Sequence, residues 1–444
     1  MTAAALLAPL LTELLDGPPP FRLRAWDGST AGPADAPTVV LRNRAALRRL
    51  LWQPGELGLA DAYITGDLEV EGDLTAALGQ VRRALAGRGP IRPAARHWPR
   101  LLTAAARLGA LGPRPAPPHG RAKVRGALHS RTRDQAVISH HYDLSNEFYA
   151  LLLGPAMAYS CAYWTGEREN GEHGSGEREN GERGSGEHEV RGHETLEQAQ
   201  RAKFDLICRK LDLRPGARLL DVGCGWGALA VHAARHYGAQ VTAVTLSGRQ
   251  HAFAEAAVQN AGLAGQVRVR LRDYREIADG PYDAISCVEM GEHVGDARYP
   301  AFARRLRGLL VPGGRLLVQQ MSRGANAPGG GAFIETYIAP DMHMRPVGST
   351  ADLLEAAGLE VRQVEAMREH YARTIDAWHE RLLAHPAEFA ELVGEATVRL
   401  WRLYLAGSSL AFSEGRMGVD QILAVRPGTD GAAGMPPTPD WYRP

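Results

Sequence analysis

The stretch LLDVGCGWGALA, residues 219–230, limits what this chain can fold into more than any other. A short run of strand character, Leu219–Val222, passes directly into Gly223, Gly225 and Gly227, and a helical pattern follows. Glycines at such a turn tolerate left-handed backbone and let peptide N–H groups approach a ligand at the carboxyl end of a sheet. The strand and helix on either side carry the prediction, since a bare glycine pattern is weak. The flanking sequence alternates in the same way. ETLEQAQRAKFDLICRKL, ALAVHAARHYG, GRQHAFAEAAVQNAG and YPAFARRLRGLL have helical periodicity, while QVTAVTLS, VRVRLRDY, YDAISCVEM and GRLLVQQM read as strands. This predicts an α/β fold, a Rossmann-like domain with a doubly wound parallel sheet.

The spacing also discriminates between cofactors. A dinucleotide site has GxGxxG and an acid closing the second strand. Here the pattern is GxGxG, Asp221 stands two residues before it, and the second strand closes on Thr245, Leu246 and Ser247. A carboxylate there suits the cationic sulfonium and amino acid portion of S-adenosylmethionine, which has no pyrophosphate to cradle. NAD, or a turn with no ligand, fits less well.

At 444 residues the chain has room for more than one domain. Residues 1–85 mix short strand-like runs (FRLRAW, PTVVLRN) with helical ones (RAALRRLLW), and LGLADAYITGDLEVEGDL suggests turns between short elements, so a smaller N-terminal α+β domain is expected. The first twenty residues, MTAAALLAPLLTELLDGPPP, read as an amphipathic helix stopped by Gly17 and three prolines, too short to span a bilayer. Between Leu74 and Arg133 there are thirteen Lys or Arg and no Asp or Glu. The Pro-rich part, 86–133, is read as a basic linker, either a solvated tether or a patch attracted to anionic lipid. Nucleic acid is not expected, because the arginines lack interleaved aromatics and the net charge is only +1. The main domain is placed at 134–430 and a tail at 431–444. Within it, 166–193 repeats GEREN and GS units and is expected to be a disordered insertion. The four cysteines form no CxxC pair, so no metal site is predicted, and a cytoplasmic location fits.

One further stretch is unusual. HYDLSNEFYALLLGPAMAYSCAYW, residues 141–164, gathers Tyr142, Phe148, Tyr149, Tyr159, Tyr163 and Trp164 around Cys161 in a chain only 7% aromatic. For any single ring, core packing is the plain reading. HYDLSNEFY, MAYSCAYW, LLDVGCGWG, VTLSGRQ, MGEHVG, REHYARTIDAWHERL and RLWRLYLAGSSLAFSEGRMGVDQ follow in the order found in cyclopropane-fatty-acyl-phospholipid synthases and the related mycolic acid and fatty acid methyltransferases. The chain resembles that family over about residues 135–427, and its first domain resembles the smaller N-terminal, lipid-handling domain of the family's long members.

The resemblance implies methyl transfer from S-adenosylmethionine to a cis double bond of an acyl chain in a phospholipid, through a carbocation that aromatic faces can stabilise. It implies cofactor contacts at Tyr159, Ser160, Asp221, Gly223, Gly225, Thr245, Leu246, Gln250 and Tyr274 or Arg275. It also implies a bound bicarbonate ion as base, held by Cys161, Glu292, the backbone near Met321 and Tyr371. Where the family usually carries a histidine, this chain has Gln319, which donates a hydrogen bond but relays no proton. The base site is therefore altered, and two products are open: a cyclopropane, or a methylene-branched chain that precedes a 10-methyl lipid. Expected partners are unsaturated phospholipid chains at the inner membrane surface, where the protein would sit peripherally. A homodimer, and a reductase if the product is methylene-branched, are left open. The rival readings are a methyltransferase acting on a small natural product, and a non-catalytic lipid-binding protein.

Overall fold

Leu219, Leu220, Val222, Val241, Ala243, Val244, Ala284 and Ile285 are all buried, as near-continuous apolar runs must be when helices cover both faces of a parallel sheet. The computed structural model describes residues 1–86, 94–118, 120–121, 126–142, 144–166, 194–325, 329–439 and 441, the side chains of 139–142 excepted. Beyond Gly166 the expected insertion lies outside the described residues, as does the side chain of Tyr142.

A small sheet comes first, with β1 (Arg22–Arg24), β2 (Thr30–Ala31), β3 (Thr38–Leu41) and β4 (Leu68–Val70) in the order β2-β1-β3-β4. The main sheet contains β5 (Arg218–Val222), β6 (Gln240–Thr245), β7 (Val267–Leu271), β8 (Tyr282–Val288), β9 (Leu310–Ser322), β10 (Glu360–Ala366) and β11 (Gly418–Val425). Its order is β10-β11-β9-β8-β5-β6-β7. Both neighbours of β11 pair with it antiparallel, so β11 alone runs against the others. The sheet is mixed rather than all-parallel. Chain order reverses at β5, which lies between β6 and β8, and a ligand crevice is expected at the carboxyl ends there.

Two local differences from the sequence reading have physical causes. LGLADAYI is helical (Glu56–Ile64) rather than a series of turns, and Gly58 permits the close approach: a Cβ there would lie 1.8 Å from the Gln53 carbonyl oxygen. The described part of the basic linker is not a free tether. It contains the helix Trp98–Arg107, and its carbonyls at Ala110, Gly112 and Ala116 accept from Arg48, Trp52 and Arg49 of the first domain. Among the described residues no helix is long and apolar enough to cross a membrane.

The first domain docks on the helix Glu395–Ser413, whose Leu403 and Ala406 join the apolar core around Leu23, Leu41 and Tyr63. Arg399 fastens the joint. It donates to the Tyr63 and Leu68 carbonyls at 2.6 and 2.9 Å, pairs with Glu69 at 2.6 Å, and lies 4.3 Å over the Tyr63 ring. Charge-assisted bonds of this kind contribute about 2 kcal/mol when truncated. Arg399→Ala should therefore lower the thermal midpoint measurably; an unchanged midpoint would leave the joint to its apolar contacts.

Candidate active site

Asp221, next to last in β5, faces Ser286 of β8 across the parallel ladder. The Ser286 hydroxyl donates to Asp221 Oδ1 at 2.8 Å, while Oδ2 is buried without a partner among the described residues. Burial raises its pKa to about 6. The turn after it is shaped by glycine. Gly223 has φ +81°, and a Cβ there would come within 3.1 Å of the Met290 side chain; Gly227 has φ +87°, and its Cβ would lie 3.0 Å from that of Ala254. Thr245 Oγ1 donates to Gln250 Oε1 at 2.7 Å, which leaves the Gln250 NH2 group to serve as a donor.

Tyr159, Ser160, Asp221, Gly223, Gly225, Thr245, Leu246, Gln250, Tyr274 and Arg275 all line one pocket in this crevice. An unpartnered buried carboxylate oxygen at a glycine cradle is the fit that a ligand with a cationic centre requires. Lys203 also lines the pocket and was not anticipated. Its ammonium is buried, donates to Ser160 Oγ at 2.7 Å, and burial lowers its pKa to about 8.

Beside this pocket lies the centre of the site, Glu289, at the carboxyl end of β8. Its Oε1 accepts from the Cys161 backbone N–H at 2.8 Å and from Gln319 Nε2 at 2.9 Å; its Oε2 accepts from the Tyr371 hydroxyl at 2.6 Å. Glu289 adopts φ +50°, a conformation costly for a residue with a Cβ, and its N–H is held by the Gln319 carbonyl at 2.6 Å.

The orientation of Gln319 is fixed from behind. In the register of β9, β11 and β10, Gln319 pairs with Gln421 and Gln421 with Glu365. The buried Lys210 bonds Glu365 and donates to Gln421 Oε1 at 2.7 Å. That turns Gln421 Nε2 toward Gln319 Oε1 at 2.9 Å, and so directs the Gln319 NH2 group at Glu289.

This geometry corrects the expected bicarbonate site. Cys161, Gln319 and Tyr371 do converge, but on the side chain of Glu289, and Cys161 contributes its backbone N–H. Its buried thiol faces the Met367 carbonyl oxygen at 3.7 Å, and burial together with Glu289 raises its pKa well above the ordinary range. The other two expected ligands bond each other, the Met321 N–H donating to Glu292 Oε1 at 2.6 Å. The donors expected to hold that anion thus already converge on a carboxylate of the chain itself.

The two carboxyls are unequal. Burial and the neighbouring Glu289 push Glu292 up to about 8. Glu289 is raised by burial, but Tyr371, Cys161 and Gln319 oppose the shift. With two side-chain donors and one N–H on Glu289 and only backbone N–H groups on Glu292, Glu289 is the member that ionises, and Glu292 keeps its proton at neutral pH.

A second cavity, of about 910 Å³, opens from Glu289 and runs to the first domain. Tyr159, Tyr371, Trp378, Tyr404 and Phe412 line it near the carboxylate; Val39, Tyr63, Val70, Leu74 and Leu78 line it from the first domain. Tyr159, Glu289 and His293 border both spaces. Of the clustered rings described, Tyr159 is the one that lines both spaces. Phe148 and Tyr149 are fully buried in ring packing, Tyr163 stacks on His370 at 4.7 Å, and Trp164 donates to Thr374 and the His370 carbonyl.

Sheet order, glycine turn and pocket define a class I methyltransferase fold. The sequence model for mycolic acid cyclopropane synthetase matches residues 129–422. The chain is 36% identical over 439 residues to a probable fatty acid methyltransferase of Mycobacterium tuberculosis, and 35% identical over 440 residues to one of Pseudomonas putida, covering 96% of each protein and 96% of itself. Among solved structures it resembles mycolic acid cyclopropane synthase CmaA1 complexed with SAH and CTAB, at a TM-score of 0.56 and 31% identity, over 65% of this chain and 97% of that one. The chain belongs to the mycolic acid cyclopropane synthetase family.

Glu292 generates a pH prediction. A carboxyl whose folded pKa is raised leaves the folded state holding a proton that the unfolded chain releases above about pH 4.5. The associated stability is complete below that value and is lost as pH rises through about 8. Glu292→Gln should therefore unfold at a higher denaturant concentration than the parent at pH 9, with a smaller difference at pH 6; a pH-independent difference would contradict the buried, protonated carboxyl.

Proposed function

We propose that this protein uses S-adenosylmethionine to methylate a cis double bond of an unsaturated acyl chain, and that loss of a proton to Glu289 yields a methylene branch. The observation that carries the reading is an ionisable carboxylate, held by three donors, where a cofactor pocket meets an apolar, aromatic-lined cavity. The cofactor supplies an electrophilic methyl group. The pocket residues then have separate tasks: Asp221 offers its free oxygen to the cationic end, the glycine turn admits the ligand, and the Gln250 NH2 group is available to ribose hydroxyls.

The alkene's π electron pair forms the new carbon–carbon bond and leaves a cation on the neighbouring carbon. Tyr159, Trp378 and Tyr404 present ring faces that stabilise charge without bonding to it, worth about 2 kcal/mol when water is excluded. A hydride shift moves the charge to the methyl-bearing carbon, and Glu289 takes a proton from the methyl group. The electron pair of that C–H bond becomes the π bond of a C=CH2 branch on the chain. If Glu289 acts before the shift, the same pair closes a cyclopropane instead.

Two considerations favour the branch. The donors on Glu289 restrain its basicity and Gln319 relays no proton, so the cation has time to rearrange. The two relatives matched over nearly their whole length are named as fatty acid methyltransferases. The lipid class places the work at a membrane surface, with a reductase needed if a saturated branch is the end product.

Lipids from cells expressing the protein with an oleate supply should show vinylidene proton signals by NMR; high-field ring signals would establish the cyclopropane instead, and neither would overturn the proposal. Glu289→Gln should reduce turnover about 10²–10⁴-fold while leaving S-adenosylmethionine binding by calorimetry within a few-fold. Retained turnover would remove Glu289 from the chemistry.

A further inference from the structure

The large cavity has a charged mouth. Four of its lining residues, Glu56, Leu59, Arg82 and Ala86, are exposed and mark where it meets solvent. Arg323 and Arg416 line the same cavity. The sheet register brings them to one edge: Ser322, the last residue of β9, pairs with Gly418, the first of β11, so Arg323 and Arg416 flank that pair. Arg416 is tied to Arg82 through Glu414, whose Oε2 lies 3.0 Å from Arg416 Nε and 2.5 Å from Arg82.

Three guanidiniums thus share this end with two carboxylates, Glu414 and Glu56. Among the described residues Arg323 has no carboxylate within ion-pair reach; it donates to the Gly329 carbonyl. Burial and the charge of Arg416 both act against its protonated form, with Glu56 opposing, so two cations are held together at an apolar opening. An arrangement of this kind gains most from an anion that enters with the ligand. Its position along the strand is also suitable. Arg323 stands four residues beyond Gln319, about 13 Å at ~3.3 Å per residue. That is the span of about ten carbons of an extended chain with single bonds near 1.5 Å. A headgroup at this edge and a double bond near mid-chain at Glu289 can therefore be held together.

We propose that Arg82, Arg323 and Arg416 form a subsite for the phosphate of an acyl lipid's headgroup at the mouth of the cavity. The subsite rests on the acyl-lipid reading above and specifies the chemistry at the other end of the substrate. Selection of phosphate-bearing over neutral lipids would then be set there, far from the reacting carbons.

The test compares two single-chain lipids that share an oleoyl chain, monooleoyl glycerophosphoglycerol and monooleoylglycerol, in binding and in methylation, with inorganic phosphate as competitor. The full-length protein should bind the phosphate-bearing lipid about tenfold or more tightly. Arg323→Gln and Arg416→Gln should each remove about fivefold of that preference without changing affinity for monooleoylglycerol. Arg82→Gln, at an exposed position, repeats the test where folding is least at risk, and thermal midpoints monitor folding in all three. Inorganic phosphate should displace the phospholipid only weakly; if it competes as well as the lipid, the subsite recognises free phosphate and the headgroup assignment falls. Equal wild-type affinity for the two lipids, or variants that weaken both alike, would overturn the subsite. If neither lipid is methylated with S-adenosylmethionine present while the phosphate preference and its loss persist, the acyl-methylation reading fails and the subsite stands.

Discussion

The site depends on one half-buried carboxylate held by three chain-distant donors. Cys161 comes from the loop after the helix Asn146–Leu153, Gln319 from β9, and Tyr371 from the helix Arg368–Ala384. An ionised carboxyl drawn out of water is costly unless each oxygen is bonded, so these three segments have to be positioned together. The register of β9, β11 and β10 does part of that work by carrying the orientation of Lys210 through Gln421 to Gln319. The left-handed backbone at Glu289 does the rest, turning the side chain off the end of β8 into the space between the pocket and the cavity.

Charge is partitioned around that carboxylate. Glu289 and Glu292 lie three residues apart, and loss of water raises the proton affinity of both: three donors oppose the rise at Glu289, whereas Glu292, facing Glu289 and bonded by backbone N–H groups alone, is pushed up to about 8. On the cofactor side, Asp221 and Lys203 are buried within the same electrostatic field, the acid raised and the base lowered by loss of water. A cationic ligand entering beside Asp221 favours its ionised form, so cofactor binding and the charge state of the pocket are coupled. Glu289 shares in that coupling, because the Lys203 ammonium favours its ionised form and Glu289 in turn favours the protonated Lys203.

Much of the fold could be read from the sequence because its signals are local. Strand runs, glycine turn and helix periodicities between 194 and 427 each occupy one window, and the cofactor pocket follows since its residues sit at the ends of consecutive strands. Three things were not legible. The reversed direction of β11 depends on which edge of β9 remains free, and no local pattern encodes that. The helix at Glu56–Ile64 is marked by a glycine whose role is close packing rather than a turn. Glu289 itself was read as the end of a strand, because its function depends on residues 161, 319 and 371 arriving around it. One signal was available: Gln319 stands where the resemblance leads one to expect histidine, which pointed to an altered base site. A carboxyl supplied by the chain is the difference found.

The first domain then acquires a chemical reason. If Glu289 is the base proposed above, it cannot follow the substrate, so the double bond would have to be brought to it, and an acyl chain has no polar feature along its length by which to be positioned. Only its two ends and the shape of its channel can set the register. The channel near Glu289 belongs to the methyltransferase domain, but Val39, Tyr63, Val70, Leu74 and Leu78 form its far wall. These residues lie outside the segment matched by the family, which begins at residue 129. The docking of that domain through Arg399, Leu403 and Ala406 therefore sets the distance between channel wall and carboxylate. On the proposed reading, a shift there would move every carbon of a bound acyl chain past Glu289 together, which would make the site of methylation a property of the interface as much as of the active site.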